Sequence, residues 1–416
     1  MTVRPDIILV MTDQQRADSL GYAGNRFVAT PHIDALAASS LRFRNAVTPF
    51  PLCSPARAGL WTGLHAHRHG ITDNIYGEPD ALARLGRATV FPAMQAAGYR
   101  TAYIGKWHLG EGQPAGFDHW AGYNSAVSQW VPGPGGRVWR PEQETDAALR
   151  LLAEWGTGSP FLLVLSYYPP HPPYDAPDRY FPRYRGGGLP HAAYYAAVDG
   201  IDACVGRLMA AAATRPPDRP LAILYCSDHG DTFQVGKGSK RSADDAALRI
   251  PLLVHAPGVQ PGDVAAPVSL LDVAPTLAGL SGVDWRADGD DLTRVADGTV
   301  ARDGLVVQNV GLEPVADRQG NLRQMLGVLP RCERIFWTGA AKLVLPEAGP
   351  PALFDLAADP EERRNLLVGR YVNRAGVVLA HELAARMIES CARMADGQGE
   401  ALAASFQRKL HQVMRG

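Results

Sequence analysis

Apolar runs alternate with segments of helical spacing through the first two-thirds of the chain. Residues 6–11, which include Ile7-Ile8-Leu9-Val10-Met11, form the first run and predict a strand buried on both faces. Ile33, Leu36, Ala37 and Ser40 recur at helical spacing after Pro31, which predicts a helix over 33–41. A second helix is expected from Ala88 to Ala97, stopped by Gly98, with a strand from Arg100 to Ile104 after it. Phe161 to Tyr167 and Leu221 to Cys226 are continuous apolar runs of the kind that central parallel strands carry. Between them, His191 to Ala213 predicts a long helix with Tyr195, Val198, Ile201, Val205 and Leu208 on one face. Ile250 to His255 reads as another strand and Leu270 to Leu280 as a short helix. The alternation predicts an α/β fold: a doubly wound, mainly parallel sheet flanked by helices.

The texture changes after about residue 285, which divides a catalytic-sized domain, 1–285, from a smaller subdomain, 286–416. Segments 303–310, 334–338 and 341–345 predict a small antiparallel sheet in an α+β arrangement. Val377 to Met394 and Ala401 to Met414 are amphipathic and either cap that sheet or pair with a second subunit. Pro/Gly-rich stretches at 131–136, 169–177 and 186–190 read as loops, because structured segments follow each one closely.

Composition narrows the function classes. Of 416 residues, 46% are apolar types and 20% charged, with 41 basic against 42 acidic residues. With a formal charge of -1, no global field would gather nucleic acid or an anionic membrane, so local groups must bind any anionic substrate. The apolar run at 7–11 is too short for a signal segment, and no run approaches membrane-span length, which predicts a cytoplasmic protein. Five scattered cysteines (53, 204, 226, 332, 391) show no metal-ligand spacing. Cys204 and Cys226 lie in apolar stretches, Cys391 on a late helix and Cys332 in a loop, so Cys53 alone has unusual neighbours.

Ligands of a doubly wound sheet bind at the carboxyl ends of its strands. Four polar clusters stand where strand-like runs end: Thr12-Asp13-Gln14, Lys106-Trp107-His108, His171 and Asp228-His229. Taken singly, Asp13 reads as a helix cap and Asp228-His229-Gly230 as a turn. Taken together, two carboxylates, an amide oxygen and an imidazole make a site for one divalent cation. Cys53-Ser54-Pro55-Ala56-Arg57 by itself reads as a thiol at a helix start, where the backbone dipole lowers its pKa.

Cys53-x-Pro55-x-Arg57 with Thr62-Gly63 resembles the signature of the sulfatase family, within the alkaline-phosphatase-like superfamily. The similarity continues through Ile8-Leu9-Val10-Met11-Thr12-Asp13-Gln14-Gln15-Arg16, Thr30-Pro31-His32-Ile33-Asp34 and Gly105-Lys106-Trp107-His108-Leu109-Gly110. It extends over His171-Pro172-Pro173-Tyr174, Ser227-Asp228-His229-Gly230-Asp231, Leu248-Arg249-Ile250-Pro251 and Asp272-Val273-Ala274-Pro275-Thr276-Leu277. The last matches are Leu353-Phe354-Asp355-Leu356, Asp359-Pro360 and Asn365-Leu366, so the ordered set spans residues 6 to 366.

The resemblance implies an arylsulfatase-like hydrolysis of sulfate monoesters. Cys53 would be oxidised by a formylglycine-generating enzyme to formylglycine, whose hydrate is the working nucleophile. A serine attacking sulfur would leave a stable sulfate ester. A gem-diol attacks with one oxygen and expels sulfate by C–O cleavage from the other. The resemblance further implies that Asp13, Gln14, Asp228, His229 and modified Cys53 ligate one divalent metal ion. Arg57 and Lys106 would hold the formylglycine hydroxyls, and His108 would take the proton in the elimination. Lys240 would bind a sulfate oxygen, the alternative being a solvated loop lysine beside Lys237 and Arg241. His171 would contact sulfate and protonate the leaving oxygen.

Two departures matter. Many sulfatases carry adjacent acids after the first strand and Asp-Asn at the later site, where this chain has Asp13-Gln14 and Asp228-His229. Fewer anionic ligands and a nitrogen donor weaken the case for calcium and admit manganese. The same residues also resemble the branch that hydrolyses phosphonate monoesters and phosphodiesters, which stands as an alternative function. Ala56 stands where serine is commonest. A third reading, from another class, is a non-catalytic anion-binding protein with an unmodified Cys53 thiol. Expected partners are a sulfated small molecule or saccharide, with no nucleic acid and no membrane, and an open oligomeric state. Trp120, Trp130 and Trp139 either face the substrate or anchor loops, and Glu313, Arg318 and Arg323, within 309–331, are candidates for a second wall.

Overall fold

The first apolar run becomes strand β1 (Asp6–Asp13), and its two faces enter different cores. Ile7, Leu9 and Met11 pack on one side of the sheet and Ile8 and Val10 on the other. Because side chains alternate along a strand, only a chain apolar at every position can bury both faces. The computed structural model describes residues 4–133, 135–155, 158–184, 191–214, 219–233, 239–314 and 328–415.

The remaining strands of the large sheet are β2 (Leu41–Phe43), β3 (Arg100–Lys106), β4 (His119–Tyr123), β5 (Phe161–Pro170), β6 (Leu221–Ser227), β7 (Leu252–His255) and β8 (Gly262–Val264). Their order is β8-β2-β7-β6-β1-β5-β3-β4. β1 runs parallel to both neighbours, β5 and β6, and β3 is parallel to β5 and β4. β7 is antiparallel to β6 and β2, so the sheet is mixed though mainly parallel. Helices α1 (Pro31–Ala38), α3 (Arg140–Trp155) and α4 (Ala192–Ala213) cover one face. α2 (Cys53–Thr62) and α5 (Val273–Ser281) cover the other. This is the expected doubly wound α/β architecture.

Several elements differ from the sequence expectation. The helix expected over 33–41 ends at Ala38, and Leu41 begins the β2 strand. The helix expected over Leu270 to Leu280 is a 3-10 turn, Leu270–Asp272, followed by α5, with Ser269 and Asp272 forming a capping box. Trp120 and Trp139 are anchors: Trp120 packs on Tyr103, Trp107 and Phe117, and Trp139 is fully buried beside Tyr180. Trp130 donates its indole N–H to Asp175.

The second sheet is antiparallel in chain order: β9 (Leu305–Pro314), β10 (Val328–Trp337), β11 (Ala341–Pro346) and β12 (Ala352–Asp355). Cys332 therefore sits in a strand, not a loop. Leu292 and Val295 still pack into the core of the large sheet, beyond residue 285. The terminal helices α6 (Arg374–Met394) and α7 (Gly397–Arg415) cap the second sheet: Ala380, Leu383, Ala384 and Met387 meet Val306, Phe336, Leu343 and Leu353. Asn373 caps α6 by accepting from the Gly376 N–H at 2.9 Å. Residues 186–190, Lys237, Arg318 and Arg323 lie outside the described residues, as does the side chain of Glu313. Among the described residues no helix is long and apolar enough to cross a membrane.

One buried polar knot ties the helices to the sheet. Arg334 donates to Asp396 Oδ1 at 3.0 Å, and Gln308 donates to Asp396 Oδ2 at 2.8 Å. Asp396→Ala leaves the buried guanidinium without its carboxylate, with Gln398 Oε1 and the Glu333 carbonyl still accepting from it, and is expected to cost about 2–3 kcal/mol. Urea unfolding would show this as a lower midpoint at unchanged slope.

Candidate active site

Every polar cluster singled out in the sequence emerges on the same edge of the large sheet, on both sides of β1. Asp13 ends β1, Lys106 ends β3, His171 follows β5, and Asp228-His229 follow β6. The strand order changes direction at β1, so its carboxyl end opens a crevice between neighbours. Gly105 lets β3 approach β5 there: at φ +106°, an added Cβ would lie 2.0 Å from the Ser166 carbonyl oxygen. Gln14 and His108 are held in the left-handed region, at φ 63° and 61°. For non-glycine residues such backbone costs of order 1 kcal/mol, and it concentrates where function fixes the side chain.

Cys53 opens α2, fully buried, with Pro55 in the first turn where no N–H is missed. Its Sγ lies 3.6 Å from Asp13 Oδ1, 3.2 Å from His229 Nε2 and 3.1 Å from Lys240 Nζ. Burial raises the thiol pKa, but Lys106, Lys240 and His229 outweigh it and hold the group well below its ordinary value. Position 53 is thus a buried anion site.

Arg57, one helical turn on, brackets the two carboxylates. Its Nε donates to Asp228 Oδ2 and one terminal nitrogen to Asp13 Oδ2, each at 2.9 Å. The other donates to Ser166 Oγ at 3.0 Å and to the Lys106 carbonyl. The guanidinium is thereby committed to the carboxylates rather than to position 53. Lys106 Nζ pairs with Asp13 Oδ2 at 2.7 Å and lies 4.4 Å from the Tyr168 ring centre.

With Oδ2 of both acids taken, Oδ1 of each faces the remaining donors. Asp228 Oδ1 accepts from the Gln14 and His229 backbone N–H groups at 3.0 and 2.9 Å. Burial and the neighbouring Asp13 push Asp228 up to about 6. Burial and Cys53 act the same way on Asp13, yet Lys106, His171 and Arg57 hold it below the usual range. One ligand atom from each of Asp13, Cys53, Asp228 and His229 lies within 4.8 Å of all the others.

This donor set fits a cation. The His229 Nδ1 faces the Gly230 carbonyl at 2.9 Å, and a carbonyl only accepts, so Nδ1 carries the proton and Nε2 is left bare in the neutral ring. The Gln14 amide nitrogen donates to Asp231 Oδ2 and Ser239 Oγ, each at 2.9 Å. Its Oε1 is buried without a hydrogen-bond partner among the described residues. An imidazole nitrogen facing position 53 and an orphaned amide oxygen beside two carboxylates form a donor set that suits a divalent cation.

The other catalytic candidates surround Cys53. Lys240 Nζ bridges Cys53 Sγ and His171 Nε2, the latter at 2.9 Å. His171 Nδ1 faces the Pro172 carbonyl at 2.6 Å, and burial followed by Lys240 lowers the imidazole pKa. His108 is buried, neither ring nitrogen has a hydrogen-bond partner among the described residues, and burial depresses it to about 4 although Cys53 opposes the shift. A cavity of about 500 Å³ lined by Arg16, Tyr22, Arg44, Arg249 and Glu362 opens elsewhere, and none of the strand-end residues lines it.

Sequence reasoning missed the supporting residues. Ser54 donates to the His108 carbonyl at 2.6 Å and accepts from the Ile75 N–H at 3.1 Å. Gln129 donates to the His171 and Pro173 carbonyls at 2.9 and 3.2 Å, fixing the histidine's backbone. Ser54 stands inside the motif and was open to notice. Gln129 joins the site only through folding and carries no local signal.

The sulfatase family model matches residues 5–283, and the chain belongs to the sulfatase family, whose members are sulfuric ester hydrolases. An ulvan-active sulfatase from Formosa agariphila is 31% identical over 411 residues, covering 88% of this chain and 77% of that protein. A choline-sulfatase from Rhizobium meliloti is 28% identical, covering 88% and 83% of the two chains. A solved structure from work on glycosaminoglycan metabolism by Bacteroides thetaiotaomicron superposes with a TM-score of 0.80 at 23% identity, covering 97% of this chain and 99% of that one. The phosphonate monoester hydrolase of Agrobacterium radiobacter shares the fold, with a TM-score of 0.76 at 20% identity and coverage of 94% and 96%.

Proposed function

We propose that the protein hydrolyses sulfate monoesters with a nucleophile made from Cys53, beside one divalent metal ion held by Asp13, Gln14, Asp228 and His229. The observation that carries this reading is the position of Cys53 at a helix start, within 3.1–3.6 Å of an acid, an imidazole nitrogen and a lysine. The formylglycine hydrate derived from Cys53 supplies the attacking hydroxyl. A metal bound by these residues would supply Lewis acidity to the attacking hydroxyl and to the anionic ester.

The chain's own residues do the rest. Arg57 fixes the two carboxylates and balances their charge. Lys106 neutralises Asp13 and, with Lys240, adds positive charge where a sulfate must sit. His108, neutral because of burial, takes a proton at one of its unpartnered ring nitrogens during release of sulfate. The Lys240–His171 pair, hydrogen-bonded above position 53, provides the proton for the leaving oxygen. An imidazole ligand favours a transition ion such as manganese over calcium.

In the unconverted protein, with Cys53 still a thiol, burial opposes charge on His229, yet Asp228 and Cys53 raise its pKa to about 9. A ligand imidazole must be neutral, so metal binding expels this proton. Affinity should therefore fall by up to about tenfold per unit as pH drops below that value. Manganese titrations at several pH values would show it, and a pH-independent affinity would remove His229 from the ligand set.

Phosphodiester or phosphonate monoester hydrolysis is the second reading, favoured by Gln14 and His229 as ligands. Rates on 4-nitrophenyl sulfate and on an aryl phosphodiester, measured with one preparation, separate them. Faster sulfate cleavage supports the first reading, and diester cleavage faster by orders of magnitude overturns it.

A further inference from the structure

We infer that Tyr76 is a stacking platform for the leaving group, so that the preferred substrates are sulfate esters of cyclic alcohols or phenols; this rests on the sulfate-ester reading above. Tyr76 is 60% exposed. Solitary exposed aromatics are ordinary on protein surfaces, so exposure alone says little. Its place says more. The phenol ring lies 5.3 Å from the His108 ring, at 59° between planes, and His108 adjoins position 53. The other exposed large apolar residues among those described (Phe27, Val368, Val372 and Val378) have no such neighbour in the site.

The segment carrying Tyr76 is fixed to the catalytic helix. Asn74 Oδ1 accepts from the Ser54 N–H at 3.1 Å, and the Ile75 N–H donates to Ser54 Oγ at 3.1 Å. Ser54 Oγ in turn donates to the His108 carbonyl. Asn124 donates to the Ile75 carbonyl at 2.9 Å, and the Gly77 N–H donates to Glu111 at 3.3 Å. Asp73 pairs with Arg241, next to Lys240. The backbone on both sides of Tyr76 is thereby held in register with Cys53, His108 and Lys240.

A sulfate ester bound at position 53 must carry its alcohol out toward solvent. The exposed aromatic face standing next to His108 is placed to meet the first ring of that alcohol. Stacking on an arene, or on the apolar face of a sugar ring, suits a rigid phenol ring with few torsions to freeze. An acyclic alcohol offers no such face.

The test uses full-length enzyme with Cys53 converted, carrying Tyr76→Ala or Tyr76→Phe, and the probes 4-nitrophenyl sulfate, galactose 6-sulfate and propyl sulfate. The alanine variant should raise KM for the cyclic probes about three- to tenfold while KM for propyl sulfate stays at its wild-type value. The phenylalanine variant should retain wild-type KM on the cyclic probes. Equal losses on cyclic and acyclic probes, unchanged KM on the cyclic ones, or a wild type that cleaves only propyl sulfate would overturn the inference. Failure of the sulfate-ester reading looks different: converted wild-type enzyme would cleave none of the three probes.

Discussion

Cys53→Ala is expected to lower kcat on sulfate esters by about four orders of magnitude or more, while leaving the fold intact. The side chain is fully buried but small, so alanine removes few packing contacts. The loss is chemical. With the proposed nucleophile gone, Lys106, Lys240 and His171 would still be expected to hold a sulfate, but nothing would form the bond to sulfur. Cys53→Ser, left unconverted, separates the two halves of the reaction. Its hydroxyl can attack sulfur and release one equivalent of alcohol. The resulting serine sulfate has no second hydroxyl to expel the sulfate, so turnover stops after a burst. Rapid-mixing measurements of alcohol release on both variants check this: no burst for alanine, and a burst without steady turnover for serine.

Arg57→Leu is expected to damage stability and activity together. The guanidinium is fully buried and bridges Asp13 and Asp228, both fully buried as well. Removing it leaves two carboxylates facing each other with Lys106 as the remaining direct counter-charge on Asp13. Breaking a buried pair in this way costs about 3–5 kcal/mol. The loss should be smaller in saturating manganese, because a bound cation replaces part of the missing charge. Activity should fall at least about a hundredfold, since the carboxylates lose their fixed geometry. Arg57→Lys should rescue little, because an ammonium cannot fork between two acids and Ser166 at once. Urea melts with and without manganese, alongside kcat, would check these outcomes.

How much of this was legible beforehand depends on which physical signal each element carried. β1, β5 and β6 were plain in the sequence, because burial on both faces demands an unbroken apolar run. The short strands Leu41–Phe43, His119–Tyr123 and Gly262–Val264 carry no such run, and pairing in the folded sheet makes them strands. The antiparallel direction of β7 is a property of topology, which no local pattern encodes. Helix α3 was hidden because its buried face includes Pro141, Glu144 and Thr145, which break the apolar stripe.

The candidate site was more legible than the fold around it. Asp13, Lys106, His171, Asp228 and His229 stand at or just after strand ends and Cys53 opens a helix, where backbone geometry and chain order constrain identity. Arg57 shows the limit of that legibility. Its presence was marked by the motif, whereas its commitment to Asp13 and Asp228, rather than to position 53, is visible only in three dimensions. Gln129 and Tyr76 reach the site from loops, where spacing along the chain says nothing about proximity.

The central claim is that Cys53 is the precursor of the nucleophile. Mass spectrometry of the peptide spanning Cys53, in active protein purified from its native host, tests it most directly. The expected result is a residue that has lost its sulfur and two hydrogens and gained one oxygen, the composition of formylglycine. An intact thiol at position 53 in a preparation that turns over sulfate esters would contradict it.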